Sequence, residues 1–136
     1  MNTVLYNELI RTVDNSKDLF NFFRNRTILI TGATGLIGSM LIKSIMTAND
    51  MLQTNIHVIG HVRNMDKAEI IFDGFNQDMV TFTNISIKDI GNHIDYIVHT
   101  ASPTQSKFFI SNPVETLHAS INQTVECLDV SKKQNI

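Results

Sequence analysis

Ile28-Leu29-Ile30-Thr31-Gly32-Ala33-Thr34-Gly35-Leu36-Ile37-Gly38 reads as a buried strand, a glycine turn and the start of a helix within eleven residues. The apolar run from Thr27 to Ile30 suits a strand covered on both faces. Gly32 lets the chain turn sharply at the carboxyl end of that strand. Gly35 removes a Cβ from the place where a diphosphate approaches the backbone. Gly38 lets the following helix pack closely on the strand, with the free N–H groups of its first turn and its positive dipole end facing an anion. The main chain from Thr34 through Gly35 and Leu36 to Ile37 is therefore the candidate diphosphate cradle. The glycines are spaced 3 and 3 rather than the commoner 2 and 3. The preceding strand and the amphipathic run Leu36, Ile37, Met40, Leu41, Ile45 supply the context that a lone glycine motif lacks.

The rest of the 136 residues narrows the class. A hydrophobic content of 43% with 18% charged residues is that of an ordinary globular domain. A net charge of −2, with no Lys/Arg cluster, argues against nucleic acid as a partner. The single cysteine, Cys127, excludes an internal disulfide and falls in a helical pattern, where a buried inert thiol is expected. Apolar runs such as Ile94 to Ala101 are too short for a bilayer, and the N-terminus has no apolar signal core. No membrane partner and a cytoplasmic location are the expectation.

Helical spacing is expected over residues 2–14, through Val4, Leu5, Leu9, Ile10 and Val13, and Ser16 is placed to cap a second short helix carrying Leu19, Phe20, Phe22 and Phe23. These pieces form a helical extension over 1–25 ahead of a nucleotide-binding unit over 26–136. Strands at 27–31, 55–62, 79–84 and 94–100 alternate with helices at 36–48, 65–72 and 113–134. Alternation of this kind predicts crossover connections and a Rossmann-like, doubly wound parallel α/β sheet. Asn112-Pro113 starts the last helix well, with Glu115 in its first turn and Lys132 and Lys133 in its last. A doubly wound sheet alternates onward, so the sheet is expected to be incomplete at the C-terminus and the chain to be an N-terminal portion of a longer one.

Three motifs resemble the extended short-chain dehydrogenases/reductases, in their NAD-dependent epimerase/dehydratase group. Thr31-Gly32-Ala33-Thr34-Gly35-Leu36-Ile37-Gly38 matches the family's TGxxGxxG. Asp95-Tyr96-Ile97-Val98-His99-Thr100-Ala101-Ser102 is similar to its strand ending in H-x-A-[AS]. Asn112-Pro113, followed by Ile121-Asn122-Gln123-Thr124, is similar to its NP…NVxGT helix. The extension Ala101-Ser102-Pro103-Thr104 is most similar to nucleotide-sugar decarboxylases and dehydratases. The resemblance implies an NAD or NADP cofactor and, in the complete enzyme, a nucleotide-sugar partner and hydride transfer at a sugar carbon. It also implies Ser86 and Ile87 around the adenine, Ala101 and Ser102 beside the nicotinamide, and Ser102 and Thr104 facing the substrate.

Departures from the family pattern carry their own information. An Asp ends the second strand in NAD-preferring members; here Val62 stands there, followed by Arg63. A guanidinium at that place suits a 2′-phosphate, which leans the cofactor towards NADP. Ser86 replaces an Asp that meets the adenine amino group, while Ser120 and Gln123 replace Asn and Gly in the third motif. The family's catalytic Tyr-x-x-x-Lys is missing: of Tyr6 and Tyr96, neither has Lys four residues on, since Ile10 and Thr100 stand there. No catalytic residue is assigned, and the chain alone is expected to be inactive. A dinucleotide-binding sensor of the same fold, or a non-functional truncated piece, would show the same residues.

His57, His61, His93, His99 and His118 are scattered. His57 and His61 share one face of a strand but at roughly 13 Å, too far for one metal, and no metal site is expected. His99 is read as a packing residue at a strand end. The strand 94–100, long, apolar and free of Lys and Pro, would be an edge if nothing follows it, and self-association is expected.

Overall fold

The computed structural model describes residues 3–102 and 110–136. Along the chain run α1 (Thr3–Asn15), α2 (Lys17–Phe22), β1 (Thr27–Thr31), α3 (Leu36–Leu52), β2 (His57–His61), α4 (Met65–Phe72), β3 (Val80–Thr83), a 3-10 turn at Ile87–Asp89, β4 (Tyr96–His99) and α5 (Pro113–Gln134). The four strands form one parallel sheet in the order β3-β2-β1-β4. The expected Rossmann-like α/β architecture is present. β1 has the expected bounds, β2, β3 and β4 are shorter than their apolar runs suggested, and α3 continues to Leu52, beyond the expected 48.

Alternation along β1 builds the two cores. Ile28 and Ile30 face one side, where they join Val13, Phe20, Ile42, Ile45, Met46, Val58 and Phe72 beneath α1–α4. Leu29 faces the other side, with Ile59, Ile87, Ile90, Ile94 and, from α5, Cys127 and Val130. Period-two burial thus places helices on both faces of the sheet. Leu9 and Val13 of α1 are buried where that helix packs along α3. Phe23 meets Tyr96 edge-on at 4.9 Å, whereas Phe22 stays largely exposed.

Local hydrogen bonds end the elements. Asn49 Oδ1 accepts from the Ile56 N–H at 2.9 Å and from Thr54 Oγ1 at 2.6 Å, so the end of α3 is tied to the approach to β2. Gln53 takes the left-handed C-cap conformation, φ 52°, that a glycine more often fills. Asn64 caps α4 through the Lys67 N–H at 2.9 Å. Ser16 precedes α2 but makes no side-chain cap bond. Instead its C=O accepts from the Phe20 N–H at 3.2 Å.

Candidate functional site

In the sheet order, β2 and β3 extend from one side of β1 and β4 from the other. The winding reverses between β1 and β4, and the crevice outside the carboxyl ends of those two strands is where open α/β sheets hold ligands. The glycine turn leaves β1 there, and Thr100-Ala101-Ser102 leaves β4 beside it.

The three glycines serve different needs. Gly32 has φ +66°, and a Cβ on it would stand 2.7 Å from Ala101 N and 2.8 Å from Ala101 Cα. A Cβ on Gly38 would collide with the Gly32 carbonyl oxygen and lie 2.9 Å from Thr100 Oγ1. Both are glycine because the protein's own backbone fills the space. Gly35 has an ordinary backbone, φ −78° and ψ 172°, and among the described residues a Cβ there would meet only the Gly32 carbonyl oxygen, at 3.1 Å. Its outer side is open.

That open side is where backbone donors collect. The Gly35 N–H donates to Gly32 O at 2.8 Å, and the first bond of α3 runs from the Ser39 N–H to Gly35 O at 2.9 Å. The N–H groups of Leu36, Ile37 and Gly38 lie ahead of that bond, and among the described residues no side chain caps the helix. Helix geometry gives this end a partial positive charge. Leu36 and Ile37 are 84% and 70% exposed, so they do not belong to the buried stripe of α3, which begins at Gly38 and continues through Ile42, Ile45 and Met46. They stand in the first turn, above the end of the sheet, and flank the donors.

The other sequence-derived residues fall on the same crevice edge or its neighbours. Val62 is buried and its N–H donates to Thr83 O at 2.9 Å, while Arg63 is exposed just past β2. Ser86 Oγ donates to Glu126 Oε2 on α5 at 3.2 Å. The Ile87 side chain is fully buried in the core under α5, which leaves its main chain for any ligand. Ala101 is half-buried and Ser102 exposed. Thr104, like Pro103, lies outside the described residues.

Sequence reasoning missed how these parts are joined. Thr31 O accepts from the Thr100 N–H at 3.3 Å and from Thr100 Oγ1 at 2.7 Å, and Thr31 Oγ1 accepts from the Ala101 N–H at 3.3 Å. His99 Nδ1 is 2.6 Å from Thr31 Oγ1 and 3.8 Å from Cys127 Sγ, and its Nε2 is 3.3 Å from Thr124 Oγ1. Burial holds the imidazole below its usual basicity and pushes the Cys127 thiol up, with the Glu126 carboxylate adding to the latter. At the opposite end of the sheet, the Thr27 N–H donates to Asp95 Oδ2 at 2.8 Å and Arg26 reaches Oδ1 at 3.1 Å, which keep that carboxyl more acidic than usual.

Neither tyrosine joins the crevice. Tyr6 lies on α1, and Tyr96 packs on Phe22 and Phe23. An open depression lined by Thr3, Tyr6, Thr47, Asp50, Gly74, Phe75 and Asn76 lies at the far end of α3 from the glycine turn. Among the described residues no helix is long and apolar enough to cross a membrane.

Residues 28–136 match the model of the NAD dependent epimerase/dehydratase family. The chain is 24% identical over 128 residues to an uncharacterized membrane protein of Methanocaldococcus jannaschii, covering 88% of this chain and 36% of that protein. It is 27% identical over 116 residues to UDP-glucuronic acid decarboxylase 6 of Arabidopsis thaliana, covering 82% and 32%. With UDP-glucuronic acid decarboxylase 1 of Danio rerio the identity is 29% over 111 residues, covering 79% and 25%. The chain thus spans about a third or less of the length of these relatives. A UDP-glucose-4-epimerase from Stenotrophomonas maltophila, solved with NAD and formylated UDP-arabinopyranose, shares the fold with a TM-score of 0.60 at 17% identity, over 82% of this chain and 34% of that one.

Proposed function

This chain belongs to the NAD dependent epimerase/dehydratase family, and from that we propose that its residues 26–136 bind a nicotinamide dinucleotide, with residues 1–25 as a helical extension. The observation that carries the reading is Gly35: ordinary backbone, open on its outer side, flanked by uncapped helix donors. Among the described residues nothing asks for glycine as strongly there as at Gly32 and Gly38, whereas a diphosphate lying on the backbone does. The main chain from Thr34 to Ile37 holds the diphosphate, and Arg63 stands at the adenosine ribose and favours NADP. The main chain of Ser86 and Ile87 borders the adenine, and Ala101 and Ser102 border the nicotinamide.

A bound cofactor of this class takes up and returns hydride, and in the longer relatives' context the reaction proposed is at a carbon of a nucleotide-sugar, with Ser102 and Thr104 on the substrate side. The 136 residues hold no Tyr-x-x-x-Lys, so this chain by itself binds without turnover. Self-association is proposed as well. β4 lies at the sheet edge, and Val114, Leu117, Ile121, Val125 and Leu128 form an exposed apolar stripe along α5.

Calorimetric titration with NADP, NAD and ADP tests the binding reading. Gly35→Val puts a branched side chain against the diphosphate and should abolish binding. A variant that binds as well as the parent refutes the cradle. A dinucleotide-binding sensor of the same fold is the second reading. Dinucleotide binding that changes the chain's own association state would support it.

A further inference from the structure

The hydrogen-bond chain around His99 has a direction, and the direction follows from counting protons. Thr124 Oγ1 donates its proton to Ser120 O at 2.8 Å, so at 3.3 Å from His99 Nε2 it is free to accept. Thr31 Oγ1 already accepts from the Ala101 N–H, and its one other partner among the described residues is His99 Nδ1 at 2.6 Å. If Nδ1 carried the ring proton, the Thr31 hydroxyl hydrogen would have no acceptor among the described residues, and Nε2 would draw on solvent or on Thr124 at the expense of its bond to Ser120. With the proton on Nε2 every donor finds an acceptor: Ala101 N–H to Thr31, Thr31 O–H to Nδ1, Nε2–H to Thr124, Thr124 O–H to Ser120. Cys127 Sγ lies 3.8 Å from the same Nδ1, whose one lone pair the Thr31 hydroxyl takes in this arrangement.

We propose that His99 is a positioning residue: as the neutral Nε2–H tautomer it transmits the placement of α5 through Thr31 to Ala101, which backs the glycine turn. The proposal rests on the dinucleotide reading for its consequence, but not for its geometry. Ala101 N and Cα are the atoms that a Cβ on Gly32 would strike first, so a displaced Ala101 changes the floor of the turn. Thr31, His99 and Thr124 come from β1, β4 and α5. One imidazole therefore fastens the two strands of the switch point to the helix across them.

Two measurements test it. Long-range 1H–15N correlation of the histidine rings in the intact chain reads the tautomer directly: a neutral Nε2–H ring for His99 at neutral pH is expected, and an Nδ1–H ring or an imidazolium overturns the proposal. NADP titration is then compared among the parent, His99→Asn, His99→Gln and His99→Phe. Asn keeps an acceptor near the place of Nδ1 and should bind within about twofold of the parent, whereas Gln and Phe, which lose it, should bind about five- to tenfold more weakly, the scale of one hydrogen bond. Equal weakening in all three, or weakening that simply follows the loss of melting temperature, shows a packing role only. If the parent binds no dinucleotide, the proposed function fails and amide exchange decides the relay: Ala101 N–H exchange should quicken in His99→Phe and not in His99→Asn, and identical rates refute it.

Discussion

Replacing Gly32 or Gly35 by alanine adds the same single methyl group three residues apart, with opposite consequences. At Gly32 the methyl must enter a left-handed conformation, φ +66°, and lies 2.7 to 2.9 Å from backbone atoms of Thr100 and Ala101. The conformation costs about 1–2 kcal/mol and forcing backbone apart about 1–3 kcal/mol more. Gly32→Ala should therefore lose about 2–5 kcal/mol, a large part of the stability of a small domain. At Gly35 the conformation is ordinary and the methyl meets one carbonyl oxygen at 3.1 Å. The cost is the poorer N-cap preference of alanine, about 0.5–1 kcal/mol. Urea unfolding followed by circular dichroism measures both, and dinucleotide titration follows on the folded variants. Gly35→Ala should keep the fold and weaken binding at least about tenfold, as expected when about 1.4 kcal/mol or more of diphosphate contact is lost. A Gly32→Ala variant as stable as the parent would refute the account of the turn. A Gly35→Ala variant that binds normally would refute the division of labour between the two glycines.

Arg63→Ala should weaken NADP more than NAD by about 1.5–3 kcal/mol, the worth of a charge-assisted bond, and equal losses in calorimetry would remove the lean towards NADP. Stability should fall on acidification in two windows. His99, held below its ordinary 6.5 by burial, takes up a proton first in the unfolded chain, so stability is full above 6.5 and declines as pH falls from there towards the lower folded value. Asp95 is depressed from 3.8 by the Thr27 N–H and Arg26, so its contribution is present above 3.8 and is lost as pH falls through the folded value. Thermal melts from pH 3 to pH 8 should show the upper limb vanish in His99→Asn and the lower one flatten in Asp95→Asn. Self-association should appear in sedimentation at low micromolar concentration and weaken in Leu117→Glu and Ile121→Glu, and a monomeric parent would overturn it.

What could be read from the sequence was whatever depends on neighbours along the chain. Thr27 to Gly38 declared a strand, a turn and a helix because their spacing is local, and Asn112-Pro113 marked the start of α5 for the same reason. The parallel sheet followed from alternation alone. Contacts between distant residues left no such trace. Ser86 meets Glu126 across forty residues, and Thr31 meets His99 across sixty-eight. The pairing became legible only once β1 and β4 were neighbours in register, Thr31 opposite His99. Leu36 and Ile37 misled because helical spacing fixes which residues share a face, not whether a sheet lies beneath the first turn. Gln53, the C-cap of α3, takes positive φ where a reader looks for glycine, so the end of α3 lies four residues past its expected place.

The three glycines of the turn also set an order of decay. Gly32 and Gly38 are held by the protein's own atoms, and any descendant that still folds must keep them whether or not it binds anything. On the proposed dinucleotide reading, Gly35 answers mainly to a molecule from outside. A lineage that had abandoned the dinucleotide would lose glycine there first, with the strand, the turn and the helix unchanged around it. In this chain the middle glycine is still in place, so position 35 is the place to look when asking which cousins of this fold have gone silent.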